Sequence, residues 1–205
     1  MTSSPSDTET TEPRGPHPLQ GYADEVAAAV EGSGEVVFDT VKVTVDLPNW
    51  VEAHRVARDD LDLVFFSFLS AIHWTADVAV GDPLSDGDVE ERIELITTVS
   101  DLNEGRRVTF STTLPTVDPS APTLVHVYAG ANWHEREAAE MFGITFEGHP
   151  DPGALYLPDA FEGHPLLKGF PLLSREVKPW PGKVDVEAMP ESAASQKPST
   201  ENPGA

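Results

Sequence analysis

The chain has 205 residues, 39% of them hydrophobic and 8% aromatic, which is enough for one domain with a real core plus tails. Its formal charge of -22, from 13 Lys+Arg against 35 Asp+Glu, would repel phosphate backbones and anionic lipid headgroups. Cysteine is absent, which excludes disulfides, thiolate-held Fe–S clusters, Cys-based zinc sites and cysteine nucleophiles.

No apolar run approaches the roughly 20 residues that span a bilayer. The start, MTSSPSDTETTEPRGP, has no apolar core of a signal peptide. A soluble, acidic, intracellular protein is the expectation. Residues 1–20 and 190–205 are rich in Ser, Thr, Pro and Glu, bury little, and are expected to be disordered tails. The domain should span 21–143.

Tyr22–Val30 reads as a first helix, with Gly32 and Gly34 after it. Val41, Val43, Val45 and Leu47 alternate with polar residues and predict a strand over 41–47. Pro48-Asn49 opens a helix over 49–58, with Trp50, Ala53/His54 and Ala57 at helical spacing. Residues 61–74, LDLVFFSFLSAIHW, form the most apolar run and fit a buried helix or a strand. Residues 59–91 hold nine acidic and no basic side chains, and GDPLSDGD within them is a loop. Two further alternating runs, 93–100 and 107–114, flank Asp101–Arg106 with its Asn103 and Gly105, which predicts an antiparallel hairpin.

Ser120 and Pro122 fit an N-cap and first turn. Gly130 breaks the segment, and a helix follows over 132–142 with Gly143 at its C′ position. Asn132 and Glu135 have capping-box spacing, and Arg136 and Glu140 are placed to pair. On a wheel of about 100° per residue with Trp133 at zero, Met141, Ala138 and Phe142 fall at roughly 80°, 140° and 180°. Glu137 falls near 40° on that scale, inside the apolar arc, and Glu135, Arg136 and Glu140 fall outside it or at its edge. A carboxylate there must be paired, or pack its stem and send its head to water. The expectation is that Glu137 is at least half buried and accepts a hydrogen bond from an Arg, a Lys or a backbone N–H. Outside its own helix, Arg106 and Arg107 at the hairpin turn are the cations considered for it.

Residues 144–190 carry eight prolines and the aromatics Phe146, Tyr156, Phe161, Phe170 and Trp180. Regular structure is not expected there. An extended arm over 144–189, laid on another surface, fits the composition. The fold class is therefore α+β: a two-layer domain with a small antiparallel sheet, helices 49–58 and 132–142 on one face, and this proline-rich arm.

Signs of chemistry are sparse. His134, His149 and His164 lie fifteen apart, which matches no metal motif, and paired Glu-x-x-His helices are missing. There is no GxGxxG, no GxxxxGK[ST] and no GxSxG. No catalytic, cofactor-binding or metal-ligating residue is assigned. The dissenting enzyme reading uses His134, Glu137 and Glu140.

The run Glu135-Arg136-Glu137-Ala138-Ala139-Glu140-Met141-Phe142-Gly143-Ile144-Thr145-Phe146-Glu147-Gly148-His149-Pro150-Asp151 resembles the signature of one family, the 30 kDa or C subunits of respiratory complex I. Downstream, LYLPDAFEGHPLLKGFPL is similar to a second family stretch, and PNWVEAHRVARDDLDLVFFSFLSAIHW resembles the family's domain opening. The likeness covers roughly residues 36–182. Gly153, Leu167 and Gly169 depart from family positions that usually carry Arg, Arg and often Asp, while Lys168 is retained.

The resemblance implies a core subunit of the peripheral arm of proton-translocating NADH:quinone oxidoreductase. That complex passes electrons from NADH through FMN and Fe–S clusters, held on other subunits, to quinone. This chain would carry no redox centre and would scaffold the large hydrogenase-like, quinone-cavity D subunit, with the B, I and G subunits nearby. It would sit peripherally on the cytoplasmic side of the cell membrane. Glu135, Arg136, Glu137, Glu140, Met141, Phe142, Gly143, His149, Pro150, Gly163, His164, Pro165 and Lys168 carry the signature and are expected at the partner interface. Related subunits in membrane-bound hydrogenases or non-NADH quinone reductases are the alternative.

Overall fold

The two alternating runs in the middle of the chain form the centre of a sheet, and every other element is arranged around them. The computed structural model describes residues 17–76 and 89–171. The tail at 190–205, most of the tail at 1–20, the loop at 81–88 and the arm beyond 171 lie outside the described residues. In chain order the elements are α1 (Gln20–Ala29), β1 (Ser33–Val37), β2 (Thr40–Thr44), α2 (Trp50–Asp59), β3 (Phe65–Trp74), β4 (Arg92–Ser100), β5 (Arg107–Leu114), β6 (Ser120–Pro122), α3 (Ala131–Phe142) and β7 (Thr145–Glu147).

β4 and β5 pair antiparallel from Ile93↔Leu114 to Ser100↔Arg107, as their alternation predicts. Asp101 closes the turn: its carboxylate accepts the N–H groups of Asn103, Glu104 and Arg106. The full order is β1-β2-β5-β4-β3.

Three expectations need correction. β2 pairs with β5 in parallel, with Val41 opposite Val108, so the sheet is mixed rather than antiparallel. The reason is the crossover. α2 carries the chain across the sheet from β2 to β3, and a helical crossover returns it in the same direction. Of the two readings of the run 61–74 the strand holds, over Phe65–Trp74 at the sheet edge, whereas β1 adds a fifth strand that SGEVV does not announce. Residues 120–122 are a strand, not a helix start, and pair in parallel with β7 inside the supposedly irregular arm.

A bulge sets how β3 meets the core. The register shifts between Phe66 and Phe68. Phe66 and Leu69, three apart, therefore share one face, opposite Val99 and Thr97. That face also carries Val41, Val43, Val108, Phe110, Leu114, Ile93 and Leu95, all fully buried. The helices cover it. Phe110 meets the His54 ring of α2 at 4.9 Å, and Phe66 meets the His134 ring of α3 at 5.7 Å. Gly34 lies against α1, where a Cβ would come within 2.5 Å of the Ala23 carbonyl oxygen. At the edge, β1 and β2 are joined by Phe38-Asp39, both with positive φ (47° and 58°), the geometry of a type I′ turn.

Candidate functional site

α3 and the residues that follow it hold the signature. The helix buries Ala131, Glu135, Ala138 and Phe142, at i, i+4, i+7 and i+11. Trp133, taken as one edge of the apolar arc, is 67% exposed. On the wheel the buried four fall between roughly 140° and 200°, a narrower arc than hydrophobicity alone suggested. Glu135, expected outside that face as a capping residue, is fully buried. No side chain caps the helix at Gly130. The Glu135 carboxylate instead crosses to the segment after β6, where it accepts Thr123 Oγ1–H at 2.5 Å and Leu124 N–H at 2.6 Å. Burial pushes its carboxyl up to about 7, against the opposing pull of those two donors. The His149 Nε2 lies 3.9 Å from Oε2 and hydrogen-bonds the Asn132 carbonyl at 3.1 Å.

The outer side of α3 holds the arm by its backbone. Arg136 donates to the carbonyls of Gly153 (2.8 Å) and Ala154 (2.9 Å), and pairs with Asp151 at 3.3 Å. Glu140 accepts the N–H groups of Tyr156 and Leu157 at 2.8 and 3.1 Å. Burial pushes the Glu140 carboxyl up, but the amides more than offset it and hold it below the usual carboxylate range. Arg136 and Glu140, expected to bond one another, thus each take arm backbone as their hydrogen-bond partner. At the C-terminus of α3, His164 Nδ1 reaches the Glu140 carbonyl at 2.8 Å, and Leu166 N–H donates to the Met141 carbonyl. These are carbonyls a helix end leaves unpaired. Gly143 makes this possible. It has φ 75°, and a Cβ on it would come within 2.7 Å of His164 Nε2.

A family model for "Respiratory-chain NADH dehydrogenase, 30 Kd subunit" matches residues 43–176. The chain belongs to this family. A protein of Salinispora arenicola, named as the C subunit of NADH-quinone oxidoreductase, is 35% identical over 167 residues, covering 76% of this chain and 64% of the relative. The chain thus spans a little under two thirds of that relative's length. A Methylococcus capsulatus protein, named as the C/D subunit of NADH-quinone oxidoreductase, is 42% identical over 80 residues, 39% of this chain and 14% of the relative. Among solved structures, the trypsin-resistant fragment (1–134) of Nqo5 is similar in fold, with TM-score 0.51, 24% identity and coverage of 65% of this chain and 98% of the fragment.

Within this 30 kDa family member the remaining signature residues have plain positions. Met141 packs against the core and Phe142 is in it. Gly163 has φ 92°, with the Phe170 ring against it. Pro150 is exposed, and Pro165 is half-buried. Lys168 N–H donates to His73 Nδ1 at 3.1 Å, tying the arm to the end of β3. Of the departures, Gly153 offers its carbonyl to Arg136, Leu167 packs on the core, and a Cβ at Gly169 would meet nothing within 4 Å.

Glu137 is half-buried, as expected, but has no hydrogen-bond or ion-pair partner among the described residues. The cations proposed for it are placed elsewhere. Arg106 pairs with Glu104 and lies over the Tyr22 ring at 4.9 Å. His134 packs on Phe66 and Glu140 is spent on amides, so His134, Glu137 and Glu140 do not converge. Among the described residues no three His, Asp or Glu side chains are grouped as a metal would require. No helix there is long and apolar enough to cross a membrane.

Sequence reasoning missed a second buried polar pin. His54, fully buried, hydrogen-bonds the Trp50 carbonyl at 2.7 Å and Thr97 Oγ1 at 2.6 Å. Burial lowers its pKa to about 4, so it is neutral. The helical spacing flagged position 54 as inward, but nothing local names Thr97 as its partner.

Proposed function

We propose that this chain is a non-catalytic core subunit of the peripheral arm of a proton-translocating NADH:quinone oxidoreductase, where it scaffolds the large quinone-cavity D subunit. One observation carries the reading. Four polar residues of the signature are spent on structure: Glu135, Arg136, Glu140 and His164 all bind backbone of this same chain. Large apolar side chains are left outward beside them. Trp133, Tyr156, Phe161 and Leu166 are exposed along α3 and the arm. Exposed apolar side chains held on a fixed platform suit a protein interface better than catalysis. The C/D relative supports the D subunit as the neighbour, because its name joins the two in one protein.

In this reading the complex binds NADH and quinone, and FMN and Fe–S clusters sit on other subunits. The chain has no cysteine with which to ligate a cluster. The B, I and G subunits complete the surroundings, and attachment to the cytoplasmic side of the membrane is indirect, through partners. Affinity purification of the tagged full chain from solubilised membranes tests this. The D subunit should co-purify in equal amount, together with NADH:quinone reductase activity. Recovery of the chain alone would defeat the proposal. Recovery with hydrogenase subunits and no NADH-oxidising ones would assign it to the non-NADH relatives.

A further inference from the structure

The sheet has a second concentration of exposed apolar groups, remote from the point where the arm joins β3. The registers bring the β1–β2 tip, the start of β5, the end of β4 and the start of β3 to one end of the sheet. Four of the ten large hydrophobic side chains found exposed among the described residues stand there: Phe38 (97%), Leu102 (69%), Phe65 (49%) and Val64 (46%). Single exposed apolar residues are ordinary, whereas a cluster drawn from three separate segments marks a contact surface. From β2 to β3 it spans three strand spacings, roughly 14 Å. The arm meets β3 at His73, eight residues along the strand from Phe65.

Phe38 is the strongest signal. It occupies the first central position of the I′ turn at φ 47°, where glycine or asparagine is at ease and a phenylalanine is strained. Its ring gains nothing from the fold in return, since it is almost wholly in solvent. Strain kept at a residue that packs on nothing points to a role outside the chain. The position also precedes residues 43–176, which the family match covers.

Charge identifies the occupant. Between the turn and the hairpin tip opens a cavity of about 570 Å³, lined by Tyr22, Asp39, Thr40, Arg106 and Arg107 among others. Its acids are engaged: Asp39 pairs with His17 at 2.8 Å, Glu104 pairs with Arg106, and Asp101 takes three turn amides. Arg107 has no partner among the described residues, although the chain carries 35 acids against 13 Lys+Arg. Through the register Arg107↔Ser100↔Phe65, it shares a sheet face with Phe65.

We infer that this end of the sheet docks a protein partner that presents an apolar side chain to Phe38 and Leu102 and an Asp or Glu to Arg107. The inference goes beyond the proposed function, which concerns α3 and the arm.

The test places p-benzoylphenylalanine at Phe38 of the full chain and irradiates intact cells. One protein should crosslink through a segment that carries a carboxylate. The same probe at Val117, exposed on its own elsewhere, should give no such product. The crosslink should be lost with Arg107→Glu and kept with Arg107→Lys. The Phe38→Gly chain, purified, should unfold at the same temperature or higher, because glycine relaxes the turn. No crosslink, a crosslink indifferent to Arg107→Glu, or one only to a second copy of this chain would overturn the inference. So would a clear loss of thermal stability in Phe38→Gly, which would make the ring structural. Failure of the proposed function is read separately, as absence of the D subunit from the purified complex while the crosslink persists.

Discussion

The sheet and the α3–arm region are held together in opposite ways. In the sheet, strand pairing and an apolar face dominate, with Glu94 held by Lys42 and Trp74 on the other face, and the His54 imidazole that α2 buries against the apolar face is neutral. In the α3–arm region, individual side chains bind backbone across long sequence separations: Glu135 to Leu124, Arg136 to Gly153, Glu140 to Tyr156, His164 to Glu140. An apolar face tolerates substitution of similar volume, whereas a side chain that satisfies a specific amide has no substitute. The region that is densest in the family signature is therefore the region where single polar residues matter most.

Glu135→Ala should show this at its largest. It strands the Thr123 hydroxyl and the Leu124 N–H in a site with no solvent access, and should cost about 2–4 kcal/mol by chemical denaturation. A loss below that of an ordinary surface substitution would mean the carboxylate is not the tie between α3 and this segment.

The pH dependence sharpens the comparison. The folded Glu135 carboxyl titrates near 7, above its ordinary 4.5, so it contributes stability that is complete below pH 4.5 and is lost as pH rises toward 7. His54, lowered from 6.5 to about 4, does the reverse: its contribution is complete above 6.5 and is lost as pH falls toward 4. The full effect of each is roughly 3 kcal/mol. In wild type the two oppose each other across pH 4.5–6.5. Glu135→Gln removes one slope, so its stability relative to wild type should decline on acidification through that window. A constant difference between the two chains would contradict the assignment.

Arg136→Ala should act locally. Without its bonds to the Gly153 and Ala154 carbonyls, residues 151–157 should be cut about tenfold faster by a protease, as expected for about 1.4 kcal/mol of easier opening, while the sheet unfolds as before. Cleavage at the wild-type rate would show that the arm is held by something else. The smallest effect belongs to Glu137→Ala. A half-buried carboxylate with no partner among the described residues should give a change within about 0.5 kcal/mol of wild type.

Much of the sheet was legible because alternation with a period of two needs no knowledge of the rest of the chain. Ile93 to Val99 and Val108 to Leu114 announce both their strands and their shared turn. The parallel contact of β2 with β5 was hidden, since it depends on where α2 delivers the chain. Phe66 and Leu69 could not be placed on one face without the bulge. α3 was recognisable as a helix, with Gly143 at its end, yet its inward face was misread. Trp133 weighed heavily in a hydrophobic wheel, while the face that packs is made of two alanines, a phenylalanine and a carboxylate. Ala131, Ala138 and Phe142 lie on one stripe with Glu135 inside it, and that spacing was the available signal. Its meaning rests on Thr123 and Leu124, whose free donors appear only when β6 and β7 pair.

The most direct measurement is amide hydrogen exchange at Leu124 in wild type, Glu135→Ala and Glu137→Ala. The Leu124 N–H donates to Glu135 Oε1 at 2.6 Å. It should be protected in wild type and in Glu137→Ala, and should exchange much faster in Glu135→Ala while the Phe110 amide in β5 changes far less. Protection of Leu124 that survives Glu135→Ala, or falls with Glu137→Ala, would contradict the account of α3 as a helix fixed by its one buried carboxylate.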